Sequence, residues 1–140
     1  MGAGALHHGT GALPQRLRSR GEFLQVQNLG RKFRGQRLVL MVGQSRPEQD
    51  RDSAARMGYT VSRRVGNAVV RNRIRRILKE AVRLDAVGLC QGMDHVVVAH
   101  PQAALTPPPQ LRQELSCLLE RARAWAQATS SATGLSPSTG

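Results

Sequence analysis

The residues of this chain best suited to chemistry lie between Arg63 and Arg83, where RRVGNAVVRNRIRRILKEAVR carries eight basic side chains against one acid, Glu80. Guanidinium groups at this density are phosphate ligands, because each offers a planar fork of donors that matches a phosphate edge. Val70, Ile74, Ile77, Leu78 and Ala81 recur at i, i+4, i+7, i+8 and i+11, the spacing of one apolar stripe on an α-helix. At about 100° per residue, that stripe puts Arg71, Arg75, Arg76, Lys79 and Arg83 on the opposite face, with Asn72 near its middle and Arg73 at the border. Asn67, after Gly66, is suited to cap the helix by accepting from a free backbone N–H. Gly66 and Asn67 would also shape the turn that aims Arg63 and Arg64 beside the helix start, where backbone N–H groups favour an anion. Charge runs are most often solvated faces. This one is lopsided, and like charges such as Arg71, Arg75 and Lys79 at i, i+4 cost a helix roughly 0.2–0.5 kcal/mol per pair. An anionic partner would offset that cost. Nucleic acid fits better than a membrane surface, because no Trp or Phe accompanies the apolar stripe.

Residues for independent catalysis are not gathered in the same way. A nuclease acting alone usually clusters carboxylates around Mg²⁺ or uses a His pair, whereas the nine acids here are scattered and His7 and His8 lie near the start of the chain. His95 and His100 flank the run VVVA and, an odd number of positions apart, would point to opposite sheet faces. No catalytic and no metal-ligating residues are therefore assigned. Cys90 and Cys117 have no CxxC partner or nearby His pair and read as reduced, partly buried small hydrophobes.

The whole chain carries a formal net charge of +12, from nineteen Arg and two Lys against nine acids. Such a balance favours polyanions over acidic small substrates. A secretory signal and an apolar stretch of membrane-spanning length are not evident, so the cytoplasm is the expected location.

These side chains need a scaffold, and 140 residues suffice for one domain with tails. Residues 1–13 and 129–140 are rich in small residues and are expected to be disordered, leaving a domain over 14–128. Pro14 would open a helix running to about Asn28, with Leu17, Leu24 and Phe23 inward and Gly30 as its stop. Arg31 to Phe33 and Leu38 to Val42 read as strands around a turn at Gly35, and the polar segment 44–55, holding three acids, as a connection directed away from the ligand. A strand over Met57 to Ser62, the basic helix, a fourth strand over Val96 to Ala99, and a helix over Gln110 to Ala126 complete the order. Leu111, Leu115, Leu118, Leu119 and Ala122 form that last helix's apolar stripe. Gly58 marks a close backbone approach in or beside a strand. The predicted fold is an α/β (α+β) two-layer sandwich with one sheet.

The run GYTVSRRVGNAVVRNRIRRILKE, from Gly58 to Glu80, closely resembles the signature of the bacterial ribonuclease P protein family, whose RNR motif corresponds to Arg71, Asn72 and Arg73. A looser similarity extends through RLRSRGEF and LVLMV upstream and DHVVVAHP downstream, covering about residues 16–125. The resemblance implies an α-β-β-β-α-β-α sandwich with a four-stranded sheet and a left-handed crossover, as in the second domain of ribosomal protein S5. It implies a protein subunit that assists a catalytic RNA in removing 5′ leaders from precursor tRNA, with Mg²⁺ held mainly by the RNA. Arg63, Arg64, Asn67, Arg71, Asn72, Arg73, Arg75 and Arg76 would then contact the RNA subunit. A cleft between the first helix and the sheet would hold the single-stranded leader, with Phe23 as a stacking platform. Gln27 and Met41 stand there where the family often has Phe and Tyr, and His100 stands where it commonly has Arg. The competing expectation is a non-enzymatic RNA-binding protein, such as a ribosomal protein or RNA chaperone. Duplex DNA is disfavoured, because apart from Arg and Asn72 the helix has few side chains suited to reading base edges.

Overall fold

The apolar runs of the sequence pair into one mixed sheet in the computed structural model, which describes residues 15–17, 19–43, 54–84, 89–90 and 92–135. The elements run β1 (Gln15–Arg16), α1 (Arg20–Leu29), β2 (Arg31–Arg34), β3 (Leu38–Gly43), β4 (Arg56–Val61), α2 (Ala68–Leu84), β5 (Asp94–Ala99), a 3₁₀ turn (Pro101–Leu105) and α3 (Pro108–Leu135). The strand order is β1-β4-β5-β3-β2. β1 and β5 lie parallel to β4, while β3 lies antiparallel to both β5 and β2. A parallel β4–β5 pair needs a crossover, and α2 supplies it.

Register sorts the side chains into two layers. Leu38, Leu40 and Val42 of β3 share a face with Val97 and Ala99 of β5 and Met57 and Val61 of β4, and this face packs against Ile74, Leu78 and Val82 of α2 and Leu111, Leu115 and Leu119 of α3. The other face offers Val39, Met41 and Val96, covered by Leu17, Phe23 and Val26. A strand set buried on both sides explains the unbroken LVLMV run.

The sheet has five strands where four were expected. Residues 15–16 add a short parallel edge strand, with the Gln15 N–H donating to the Ala55 carbonyl at 2.9 Å and the Leu17 N–H to Met57 at 3.1 Å. The first helix consequently begins at Arg20, not Pro14, which lies outside the described residues. Its start is a capping box: the Ser19 hydroxyl accepts from the Glu22 N–H at 3.1 Å, and Glu22 accepts from the Ser19 N–H at 3.2 Å. Its inward side is Val26 with the half-buried Phe23, while Leu24, expected inward, is 41% exposed. The helix read as Gln110 to Ala126 is longer at both ends, and its Leu111, Leu115, Leu118, Leu119 and Ala122 are all buried as expected. Residues 44–53, which hold the acids of the polar connection, lie outside the described residues.

Charged groups anchor α1 to the sheet. Arg56 grips the fully buried Asp94 with two bonds, Nε to Oδ1 at 2.8 Å and Nη2 to Oδ2 at 2.9 Å, and its Nη1 donates to Glu22 Oε2 at 2.7 Å. Glu22 thus serves the helix cap and the ion pair together. At the far end of the sheet, Glu114 of α3 accepts from the backbone N–H groups of Arg37 and Leu38 at 2.7 and 2.9 Å and from the Arg37 side chain at 3.2 Å.

Gly58 sets how closely α1 approaches the sheet. A Cβ there would lie 2.5 Å from Cε2 and Cζ of Phe23, so the ring rests directly on the β4 backbone. Gly58→Ala is expected to cost about 1–3 kcal/mol as the ring is forced off the strand. Urea denaturation should show most of that loss disappearing when Phe23→Leu is already present; an undiminished loss would place the strain elsewhere.

Candidate nucleic-acid interface

The basic helix α2 is held by its apolar residues, and their exact arc decides which arginines face outward. Ile74, Leu78, Ala81 and Val82 are buried, with Val70 and Ile77 partly so. Val82 was not part of the expected stripe, and including it extends the buried arc by roughly 40° beyond Leu78 at about 100° per residue. Arg71 and Arg75, expected on the open face, therefore lie half-buried at its flank, while Arg73, expected at the border, is exposed beside Asn72 and Arg76.

The half-buried pair braces the exposed one. Arg71 Nε donates to the Gly66 carbonyl at 3.2 Å, fastening the helix to the preceding turn. Arg75 Nη1 donates to Asn72 Oδ1 at 3.0 Å, which orients the amide. Asn67 caps the helix as expected, its Oδ1 accepting from the Val70 N–H at 3.0 Å. Before it, the Val65 N–H donates to the Ser62 carbonyl at 3.0 Å, closing the turn that carries the exposed Arg63 and Arg64. Arg63, Arg64, Asn67, Asn72, Arg73 and Arg76 thus share the turn and helix as solvent-facing donors. Among the described residues Glu80 approaches Arg83 alone, at 3.6 Å with both side chains about half exposed, and such a pair neutralises little.

The second predicted site is the α1 face of the sheet. Phe23 and Gln27 are half-buried one helical turn apart, and Phe23 packs against the cluster of Leu17, Val26, Val39, Met41 and Val96. Met41 is only 6% exposed, so it serves as floor more than as contact surface. Thr60 and Val98, paired in register on the same face, are more open, and nothing in the residue spacing singles them out.

His95 and the cysteines serve the scaffold. The His95 ring is fully buried; Nε2 accepts from the Cys90 N–H at 3.0 Å, so Nδ1 carries the proton and donates to the Arg56 carbonyl at 3.2 Å. Burial pushes the Cys90 thiol up to about 11, while Cys117, expected to be partly buried, is exposed. The Arg56–Asp94–Glu22 network was not anticipated, although the Ser19-x-x-Glu22 spacing is a readable signal for its cap half. Among the described residues, no three His, Cys, Asp or Glu side chains converge as a metal site, and no helix is long and apolar enough to cross a membrane.

Comparison with known proteins places this architecture. The family model described as Ribonuclease P matches residues 13–123. The ribonuclease P protein component of Brucella melitensis is 48% identical over 107 residues, covering 72% of this chain and 74% of the relative. The fold superposes on the RNase P protein of Staphylococcus aureus with a TM-score of 0.68 at 24% identity, covering 76% of this chain and 94% of that one. For the Thermotoga maritima RNase P protein the TM-score is 0.65 at 25% identity, with 76% and 96% covered. The family model spans most of the chain and the curated relative is well above the identity that marks common descent, with the fold in agreement, so the chain belongs to the ribonuclease P protein family.

Proposed function

We propose that this protein is the protein subunit of a ribonucleoprotein endonuclease that removes 5′ leaders from precursor tRNA in the cytoplasm, and that α2 binds its catalytic RNA. The observation that carries this reading is the exposed set Arg63, Arg64, Asn72, Arg73 and Arg76 on a helix whose other side is locked into the core. In this reading Arg71, Arg75 and Asn67 hold that set in place while contacting the same RNA. The single-stranded leader runs along the α1 face, over Phe23 and Gln27 with Met41 as floor.

The role is positional and electrostatic. Fixed guanidinium groups neutralise phosphates without reorganising, which favours the compact RNA fold and presents the scissile bond to ions already on the RNA. Three of the described acids are already engaged: Asp94 and Glu22 hold Arg56, and Glu114 holds Arg37 and two backbone N–H groups. In this reading Mg²⁺ is held mainly by the RNA phosphates. Reconstitution tests the reading. With a cognate RNA subunit at low Mg²⁺, the protein should accelerate cleavage of precursor tRNA at the mature 5′ end. Binding without acceleration would instead indicate a non-enzymatic RNA-binding protein.

A further inference from the structure

A cavity of about 240 Å³ opens at the edge of the sheet, between β1, β4 and α2, its lining including Arg16, Met57, Tyr59, Lys79, Val82 and Arg83 beside Gln15. It lies on the α2–α3 face, because Arg16 is in register with Met57 and Met57 belongs to that layer. It is therefore separate from the α1 face, where the leader is placed. Its origin is topological: β1 pairs only with Arg56 and Met57, so among the described residues the outer side of β4, away from β5, has no strand partner from Gly58 onward, where Tyr59 stands.

The chemistry of the lining is divided. Met57, Val82 and the Tyr59 ring make an apolar slot, and Arg16, Lys79 and Arg83 put three cations at its rim. Lys79 Nζ lies 6.0 Å from the Tyr59 ring centroid. The Tyr59 hydroxyl makes no hydrogen bond to any described residue, and burial pushes its phenol above the ordinary tyrosine range. A half-buried hydroxyl with no partner among the described residues is available to a ligand.

We propose that this cavity takes one unstacked nucleotide of a bound RNA strand, its base against Tyr59, Met57 and Val82 and its phosphate on Arg16, Lys79 and Arg83. The proposal rests on the reading of α2 as an RNA-binding helix, since Lys79 and Arg83 continue its basic surface. Size supports a single base: the cavity falls below the roughly 300 Å³ at which pockets for larger ligands begin. Charge supports a nucleotide over a neutral ring, because the lining includes no acid and Glu80 meets Arg83 only at 3.6 Å in solvent. Stacking platforms accept any base, so recognition here is of an unpaired nucleotide and not of sequence.

The test uses the full chain, labelled at methionine and valine methyl groups and titrated in NMR with adenosine 5′-monophosphate, adenosine, inorganic phosphate and a single-stranded oligoadenylate. The monophosphate should shift the Met57 and Val82 methyls saturably, the oligoadenylate should shift the same signals at lower concentration, and adenosine should bind about tenfold more weakly for want of the charge-assisted bonds. Tyr59→Phe, which keeps the ring, should weaken the monophosphate roughly threefold to tenfold. Equal shifts with inorganic phosphate would reduce the site to a simple anion site and overturn the proposal. So would oligoadenylate shifts confined to Val39, Met41 and Val98. Because these readouts need no RNA subunit, their failure is distinct from a failure of reconstituted cleavage.

Discussion

Asp94→Ala should destabilise the protein by about 3–5 kcal/mol, the cost of stripping the partner from a buried charge. The Asp94 carboxylate is fully buried and Arg56 is 13% exposed at its side chain, so water cannot replace the missing bonds. Those bonds raise the Arg56 guanidinium above its ordinary value, and its charge persists when Asp94 is gone. The damage should also travel. Arg56 holds Glu22, and Glu22 closes the capping box of α1, so amide exchange at Phe23 and Val26 should accelerate more than exchange in α3. Urea denaturation measures the loss. Replacing the pair together, Arg56→Met with Asp94→Leu, should recover much of it, because two apolar groups leave no orphaned charge. A loss below about 1 kcal/mol for Asp94→Ala would show that the pair does not hold the sheet to α1.

Legibility of the sequence followed the range of the interactions. Within α2, periodicity and capping are local, so the helix, its apolar side and the Asn67 cap could be read directly. The facing of individual arginines was less secure, because one residue, Val82, shifts the buried arc enough to exchange Arg71 with Arg73. α1 shows the same limit from the other direction. Pro14 is a good helix opener, but the chain at Gln15 and Arg16 pairs with β4, about forty residues away, and no local signal announces that pairing. The Ser19-x-x-Glu22 spacing was available and marks the true start. On the α1 face, Phe23 packs against the cluster that holds Met41, yet the openness of Thr60 and Val98 depends on tertiary packing that no local spacing announces. The proposal of a catalytic RNA and a leader strand rests on the resemblance to a known family, since residue spacing points no further than a polyanion.

Arg73→Ala combined with Arg76→Ala should weaken binding to the catalytic RNA by about a hundredfold or more at moderate salt, taking each as one charge-assisted hydrogen bond to phosphate. Both side chains are exposed and neither forms an ion pair among the described residues, so their removal leaves the fold intact and the urea midpoint nearly unchanged. Salt dependence separates direct phosphate binding from diffuse attraction. Removing one phosphate-bound arginine should flatten the slope of log K against log salt by about 0.7–0.9, for a total near 1.4–1.8 in the double variant. Arg71→Ala should behave differently, lowering affinity and stability together, because its Nε braces the turn at Gly66. The choice of control matters. Arg121 lies 5.8 Å over the Phe33 ring and donates to the Arg34 carbonyl at 3.2 Å, so its loss would disturb β2 and α3; Arg112 on α3 is the better comparison. If Arg112→Ala flattened the slope as much per charge as Arg73→Ala and Arg76→Ala, the RNA would be responding to net charge alone. A loss confined to the α2 pair would make the exposed arc of this helix the binding surface, with the shape of that arc fixed by Ile74, Leu78, Ala81 and Val82 beneath it.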